Sequence, residues 1–363
     1  MSALNHRCKS SPQRMNGEVH CPMDAPIRCG VIGVGKQGSL HVHILQSLRP
    51  EATVVAIADI NLERVRRVSR KYNVPFRFTN YREMLSEVEL DAVIVATPDP
   101  YHYYPTIAAI NAKKHVLVEK PLATRVREAE DMVKAAREAN VILSVNFSNR
   151  FMPQMVITKQ LIEQGKLGEP VYAFARLSNT LYVPTEMIRA WVYDTTLPFW
   201  LMSHTIDRVR WLFEREIVSV FARTHRGILE RYGINVEDLY VAIVEFDNGA
   251  VGTFESLWIL PKSRPSIVDS RMDLVFSNGS VSFDTISPAP QVSTSEGFEM
   301  PYPVQFEIQD RPYGMVTESV RAFINALRTG AQPFVSAEDG LIAVKVASAI
   351  IESAQTGKPI AIS

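Results

Sequence analysis

The sequence predicts an α/β protein: a doubly wound parallel sheet in an N-terminal domain, followed by an α+β domain with a large, open, mainly antiparallel sheet. Short apolar runs alternate with helical patterns between residues 27 and 146, which is typical of a parallel sheet covered by helices on both faces. A glycine-rich turn follows the first apolar run. Beyond residue 170, Asn-Gly turns separate successive apolar runs and indicate antiparallel pairing.

The first domain is expected over residues 25–146. Its predicted strands are Ile27–Val34, Val54–Ala58, Ala92–Ala96, His115–Val118 and Val141–Val145. Its predicted helices are Leu40–Leu48, Leu62–Tyr72, Thr106–Ala112 and Arg127–Asn140. Residues 1–24 are polar and lack a long apolar run, so we expect a disordered N-terminal extension.

The second domain is expected over residues 147–363. Its predicted strands are Val171–Leu177, Val218–Arg223, Leu239–Phe246, Val251–Leu257, Met272–Phe276 and Val281–Phe283, with helices near 153–164 and 201–213 over one face. Apolar residues from Val320 to Leu327 have helical spacing, and Ser336 to Asp339 form a predicted capping box. These C-terminal helices are expected to pack back toward the first domain.

Composition excludes several classes of function. Lys plus Arg and Asp plus Glu both number 39 in the 363 residues, so no excess charge favours a nucleic acid or membrane partner. No run approaches 18 apolar residues, so no membrane span is expected. The three cysteines lie within the first 29 residues without metal-ligand spacing. We therefore predict no metal site and a reducing, cytoplasmic location.

The glycine-rich turn predicts a dinucleotide site. Gly33-x-Gly35-x-x-Gly38 follows the first apolar run directly and opens a helical pattern. Gly33 permits the tight turn, Gly35 permits close approach of a pyrophosphate, and Gly38 lets helix and strand pack together. The helix N-terminus, which begins with Lys36 and Gln37, then offers free N–H groups to phosphates.

Asp59 favours NAD over NADP. It ends the second apolar run, where an acidic side chain can accept hydrogen bonds from the adenosine ribose hydroxyls and repel a 2′-phosphate. Ile60 and Asn61 follow it, and neither is basic. Arg64, Arg66 and Arg67 lie further on and keep NADP as the less favoured cofactor.

Two further motifs follow the third and fourth strands. The third strand runs into Thr97-Pro98-Asp99-Pro100-Tyr101-His102 and the fourth into Glu119-Lys120-Pro121. With the opening glycines, these motifs resemble the Gfo/Idh/MocA oxidoreductases. The resemblance covers residues from about 26 to 360. It implies an NAD(P)-dependent Rossmann domain, to which the side chains of Thr97, Pro98, His102, Glu119 and Lys120 contribute cofactor contacts. It also implies a sugar or polyol substrate held between the domains, and a homo-oligomer formed through the second sheet.

The resemblance also assigns the chemistry. Lys120 would stand beside the nicotinamide, where its ammonium can polarise the reacting hydroxyl. His204, in Ser203-His204-Thr205-Ile206-Asp207, would take the hydroxyl proton. Asp207 lies three residues on, on the same face of the helix, and could orient the imidazole.

At one position the chain departs from the family pattern. Many members carry an aspartate four residues before this histidine, whereas Trp200 stands there. Asp194 is a nearby carboxylate that could substitute. Trp191 and Trp200 flank the catalytic segment and could stack on a sugar ring, and Arg150 matches a family position that lines the cleft.

These observations predict an NAD-dependent dehydrogenase that oxidises a ring hydroxyl of a sugar, cyclitol or glycoside. One alternative is an enzyme that returns the hydride to its substrate during glycoside cleavage or epimerisation. Another is a catalytically silent, regulatory NAD-binding protein, which the departure at Trp200 would suit.

Overall fold

The computed structural model describes residues 25–284 and 305–362 in full. It also describes the backbone of four short strands, paired as Gln13–Met15 with Glu18–His20 and Val292–Thr294 with Gly297–Glu299. The predicted N-terminal extension, residues 1–24, otherwise lies outside the described residues, so its predicted disorder stays a prediction.

Six parallel strands form the first sheet, in the order β3-β2-β1-β4-β5-β6. Their bounds are β1 Ile27–Ile32, β2 Ala52–Ala58, β3 Phe76–Phe78, β4 Ala92–Val95, β5 His115–Val118 and β6 Leu143–Val145. The strand order reverses between β1 and β4, and at such a switch point the carboxyl ends of the strands open a crevice for ligands.

Five helices connect these strands: α1 Lys36–Ser47, α2 Leu62–Tyr72, α3 Tyr81–Glu87, α4 Tyr103–Asn111 and α5 Val126–Ala139. The side chain of Asn61 caps α2 by accepting a hydrogen bond from the Arg64 N–H, and Asn73 ends that helix in the left-handed region. The predicted strands and helices of this domain are confirmed, with ends shifted by a few residues. The sequence reading missed β3 and α3.

Seven strands form the second sheet, in the order β12-β11-β7-β10-β9-β8-β15. Their bounds are β7 Pro170–Asn179, β8 Ile217–His225, β9 Leu239–Phe246, β10 Val251–Leu257, β11 Val268–Phe276, β12 Gly279–Asp284 and β15 Ile360–Ala361. All neighbours pair antiparallel except β7 with β10, which are parallel. The prediction of a mainly antiparallel sheet is confirmed.

Helices cover one face of this sheet. They are α7 Ser203–Phe213, which packs on β7, and α9 Ala337–Thr356, which packs on β8, while α6 Pro153–Glu163 packs on α7. A turn of π-helix, Pro198–Met202, leads directly into α7. The predicted capping box is present, because Ser336 accepts from the Asp339 N–H and Asp339 accepts from the Ser336 N–H.

The chain returns to the first sheet near its C-terminus. Strands β13 Gln305–Ile308 and β14 Arg311–Gly314 form a hairpin that leads into α8 Met315–Thr329. One face of α8 lies in the same apolar cluster as β1 and β2, through the buried side chains Val316, Val320, Phe323 and Ile324. Among the described residues, no helix is long and apolar enough to cross a bilayer.

Candidate active site

The glycine turn between β1 and α1 has the predicted geometry. Gly33 has φ of 82°, and a Cβ there would lie 2.7 Å from the Ala96 carbonyl oxygen. A Cβ on Gly38 would lie 1.8 Å from the Gly33 oxygen, so both positions demand glycine for packing. A Cβ on Gly35 would meet no protein atom within 4 Å. The turn therefore leaves open space at Gly35, which fits close approach of a pyrophosphate to the backbone.

Asp59 is largely buried at the end of β2, and its carboxylate accepts hydrogen bonds from three groups. Its Oδ2 accepts from the Val34 N–H at 2.9 Å, and its Oδ1 accepts from the Asn61 N–H at 2.9 Å. The Arg64 guanidinium donates to both oxygens at 3.1 and 3.2 Å. The sequence placed Arg64 on the following helix but did not predict this ion pair. Ile60, beside it, is 93% exposed.

Glu119 belongs to a polar network that joins three elements. Its Oε1 lies 2.7 Å from His41 Nε2 on α1 and 2.7 Å from the amide of Asn146, which follows β6. Ser319 on α8 donates to Asn146 Oδ1 at 2.7 Å. Burial alone would raise the pKa of Glu119, but the contacts with His41 and Asn146 lower it to about 2. The carboxylate is therefore charged, and it fixes the loop that carries Lys120.

Lys120 reaches from the end of β5 to the second domain. Its Nζ donates to the Trp200 carbonyl oxygen at 2.8 Å and lies 4.3 Å from the centre of the Trp200 ring. Burial lowers the pKa of Lys120, whereas the charges of Asp99 and Glu119 act in the opposite direction. A carbonyl dipole and an aromatic face thus hold the ammonium over the turn that leads into α7.

His204 lies in the first turn of α7, four residues after Trp200. Its Nδ1 is buried and has no hydrogen-bond partner among the described residues, and its ring packs edge-on against Phe147. Burial, followed by the charges of Lys120 and Arg208, lowers the pKa of His204 well below 6.5. A neutral imidazole can accept a proton.

The prediction that Asp207 orients His204 is not supported. Asp207 is fully buried and pairs with Arg150, whose Nε and Nη2 donate to its carboxylate at 2.5 to 3.2 Å. Arg150 also lies 3.2 Å from Asp339, at the start of α9. Burial raises the pKa of Asp207. The reason for the correction is that a buried guanidinium satisfies this carboxylate more fully than an imidazole could.

Arg150 was predicted to line the cleft, but the structure buries it against Asp207. It is buried, with 3% of its surface exposed, and its guanidinium lies 5.5 Å from the Trp211 ring centre. Its hydrogen bonds go to Asp207 and to the Phe334 carbonyl oxygen. These contacts join the loop after β6, α7 and α9, so its role in the structure is to connect elements that carry the site.

Trp191 and Trp200, predicted to flank the catalytic segment, contact each other and are not a free platform. Their rings meet edge-to-face at 5.3 Å between centres. The indole N–H of Trp200 donates to Asn179 Oδ1 at 3.2 Å, and Lys120 lies over the ring. Trp200 therefore supports the ammonium, and Trp191 packs against the Trp200 ring.

Two contacts join the loop after β4 to the segment before α7. Tyr101 donates to Asp194 at 3.3 Å on the surface, and Thr195 donates to the buried Asp99 at 2.9 Å. Asp194, predicted as a stand-in carboxylate, is exposed and bound to Tyr101. Asp99 lay inside a motif that the sequence analysis singled out, but no role was predicted for it.

The other predicted cofactor residues surround the same edge of the first sheet. Lys36 is exposed and Gln37 partly exposed at the start of α1, and Thr97 and Pro98 are partly exposed after β4. His102 is buried, with Nδ1 2.7 Å from the Pro121 carbonyl oxygen and Nε2 2.9 Å from that of Thr97. It thereby ties together the two motif loops.

The parallel sheet and the glycine turn at its carboxyl edge define a nucleotide-binding fold. A family model described as an oxidoreductase family with an NAD-binding Rossmann fold matches residues 27–147, and its C-terminal alpha/beta domain matches residues 159–362. The chain belongs to this Gfo/Idh/MocA family, as the sequence motifs predicted.

Several characterised proteins are similar over nearly their whole length. Myo-inositol 2-dehydrogenase of Thermotoga maritima is 28% identical, over 88% of this chain and 93% of that protein. The NAD(+)-dependent scyllo-inositol 2-dehydrogenase of Bacillus subtilis is 27% identical, over 93% and 97%. The solved WlbA dehydrogenase of Bordetella pertussis, in complex with NADH and UDP-GlcNAcA, is 26% identical with a TM-score of 0.78, over 93% and 99%.

Replacing Arg150 with Met tests its role in the structure. The variant would leave Asp207 as an uncompensated buried charge, so the free energy of unfolding should fall by about 3 to 5 kcal/mol. Arg137→Met is the matched control, since it removes only a surface pair with Glu338 and should cost at most about 1 kcal/mol. Urea unfolding measures both. An unchanged stability with a raised KM would instead support the predicted substrate contact.

Proposed function

We propose that this protein is an NAD-dependent dehydrogenase that oxidises a ring hydroxyl of a cyclitol or a closely related sugar. The observation that carries the proposal is the reach of Lys120 to Trp200, one turn before His204. An ammonium from the first domain and an imidazole from the second would then act at one site. The inositol dehydrogenases among the similar proteins support the choice of a cyclitol.

The two side chains have complementary tasks in this mechanism. Since its pKa is lowered, His204 is neutral near pH 7 and can accept the hydroxyl proton. Lys120 has three N–H donors, of which Trp200 uses one. The remaining donors can bind the substrate oxygen and stabilise the negative charge that develops there.

The first domain supplies the coenzyme site. Gly35 and the N–H groups at the start of α1 would bind the pyrophosphate, and Asp59 would bind the adenosine ribose. Bound NAD would supply the hydride acceptor beside Lys120. Asp59 supports NAD over NADP, provided that Arg64 stays paired with it.

The substrate would bind between Lys120, His204 and Trp191. A cyclitol presents an apolar ring face with hydroxyls at its rim, which suits an aromatic wall beside charged hydrogen-bond donors. Trp200 contributes indirectly, because its ring and carbonyl hold the ammonium.

We also propose that the protein forms a homo-oligomer through the open face of the second sheet. Tyr172, Ile243, Val251 and Val275 lie on that face and are each 37 to 50% exposed. Adjacent apolar side chains of this kind favour a second copy of the same surface as cover. A cytoplasmic location also stays a proposal, with which the buried free thiol of Cys29 is compatible.

The catalytic roles are tested by Lys120→Met and His204→Gln. Each should lower kcat by about 10²- to 10⁴-fold with inositols as substrate, because each removes a group that acts on the reacting hydroxyl. NADH absorbance gives the rate, and NAD binding should persist. Lys113→Met, an exposed lysine at the opposite end of β5, is the control and should be fully active.

The pH profile gives an independent check of His204. Since burial and the Lys120 charge lower its pKa, the acid limb of kcat/KM should lie below pH 6.5. Near-full activity of either variant would contradict the proposed mechanism. Product formed without NADH would favour internal hydride return instead.

Coenzyme choice is tested by Asp59→Ser. The variant loses the ribose acceptor and releases Arg64, whose guanidinium can then bind a 2′-phosphate. The ratio of kcat/KM for NAD to that for NADP should fall by about 10-fold or more, as one or two hydrogen bonds to a charged group are lost. Glu63→Gln, next to the same helix start, is the control. A wild-type preference for NADP would contradict the assignment.

The oligomer is tested by Ile243→Asp, which places a charge in the middle of the exposed sheet face. Light scattering should give the mass of a 40.8 kDa monomer for the variant and a multiple of it for the wild type. Ile157→Asp changes an exposed isoleucine on α6 and should leave the mass unchanged. A monomeric wild type would refute this interface.

A further inference from the structure

Asn179 lies at the end of β7 and contacts Trp200, the residue that binds the Lys120 ammonium. Asn179 is buried, and its Oδ1 accepts from the Trp200 indole N–H at 3.2 Å. Its Nδ2 donates to the carbonyl oxygens of Ser178 and Ile267, each at 3.3 Å. An indole N–H only donates and a carbonyl only accepts, so these three contacts require a side chain with one acceptor and one donor atom. Asparagine meets that requirement.

The backbone and the ring of Trp200 are held by different contacts. The Trp200 backbone N–H donates to the Thr196 carbonyl oxygen at 2.8 Å. Helical hydrogen bonding in the turn Pro198–Met202 thus places the carbonyl that binds Lys120. The ring is not placed by the backbone, because the terminal torsion of an aromatic side chain is broad and roughly two-fold.

Trp191 and Asn179 together restrict the ring of Trp200. Trp191 meets it edge-on, with 5.3 Å between ring centres and 67° between ring planes. An apolar contact of this kind can persist when the ring turns over, whereas a hydrogen bond cannot, since an indole has a single N–H. The hydrogen bond to Asn179 is therefore the contact that distinguishes the two orientations of the ring.

The orientation of this ring determines how Lys120 is held. The Lys120 Nζ lies 4.3 Å from the ring centre, which is close enough for attraction between an ammonium and an aromatic face. The Trp200 carbonyl holds the ammonium at one point, and the ring face holds it at a second. Without the second point, the ammonium could turn about the first.

We propose that Asn179 is a positioning residue of this site: it orients the Trp200 ring, whose face aligns the Lys120 ammonium with the reacting hydroxyl. This proposal deepens the proposed function and rests on it for its catalytic meaning. Trp200 stands where the family pattern has an aspartate, and the hydrogen bond to Asn179 gives this tryptophan a fixed orientation.

The test is a double-mutant cycle of Asn179→Leu with Trp200→Phe, which keeps an aromatic face but has no N–H. With inositols as substrate, Asn179→Leu alone should lower kcat by about 3- to 10-fold, the size of effect expected from a lost contact between cation and ring. The KM for NAD should stay close to that of the wild type. In the Trp200→Phe background, Asn179→Leu should cause no further loss, because both changes remove the same contact.

Ser178→Ala is the matched control for local damage. The buried Ser178 hydroxyl accepts from the Leu257 N–H at 3.2 Å, so this variant loses a hydrogen bond at the same strand end and leaves the amide of Asn179 in place. Its kcat should equal that of the wild type. A purely structural role for Asn179 predicts the same loss of kcat in both Trp200 backgrounds, and that result would overturn the proposal.

Fluorine NMR gives a readout that does not require catalysis. The chain has four tryptophans, so labelling with 5-fluorotryptophan gives four lines, and Trp200→Phe identifies the line of Trp200. Lys120→Met should shift this line, because the ammonium lies over the ring. In the Asn179→Leu background the shift should shrink by about half or more, since the ring is no longer aligned with Lys120.

Equal shifts in the two backgrounds would also overturn the proposal. If Asn179→Leu does not fold, Asn179→Ser replaces it in both experiments, because the shorter hydroxyl cannot reach the indole N–H. If the wild type oxidises no cyclitol, the proposed function fails, while the fluorine shifts still decide whether Asn179 aligns Trp200 with Lys120.

Discussion

The site depends on one contact between the two domains, that of the Lys120 ammonium with Trp200. Lys120 is fixed at its base by the strand end and by the charged Glu119 beside it. At its tip, it binds a carbonyl and an indole face of the other domain. Because the carbonyl belongs to the turn that enters α7, the position of the ammonium and that of His204 are set together.

A second set of charges secures the helix that carries His204. Arg150 pairs with Asp207 on α7 and with Asp339 on α9, and Arg210 also pairs with Asp339 at 2.7 Å. Burial would raise the pKa of Asp339, but the two arginines and the Ser336 N–H lower it to about 2. The carboxylate in the first turn of α9 thus also anchors α7, the helix that carries His204.

Local pattern was enough to predict the architecture and the coenzyme turn. Gly33, Gly35 and Gly38 form a local motif that is recognised by its spacing between a strand and a helix, and the buried strands are continuous apolar runs. The sequence analysis missed β3 and α3 for a physical reason, their short length. Strand β3 has three residues, two of them exposed, and α3 has seven, so neither leaves a clear periodic signal.

The site was predicted in part, since the roles of its residues depend on partners distant in sequence. Asp207 was expected to serve His204 three residues away, but Arg150, 57 residues away, binds it instead. Trp200 was expected to stack on a sugar, but Lys120, 80 residues away, lies over it. Helical spacing shows which side chains share a face, whereas it cannot show which element packs against that face.

The placement of α8 has a consequence for biosynthesis. The four apolar side chains that this helix adds to the cluster around β1 and β2 leave the ribosome after strands β7 to β12 of the second sheet. The core of the first sheet is therefore built from discontinuous segments: it begins with β1 but is completed only after α8, which follows strands β7 to β12 of the second sheet in the chain, has been translated. A nascent chain that stops after β6 leaves the apolar surface around β1 and β2 uncovered. Chaperones bind exposed apolar surfaces of this kind.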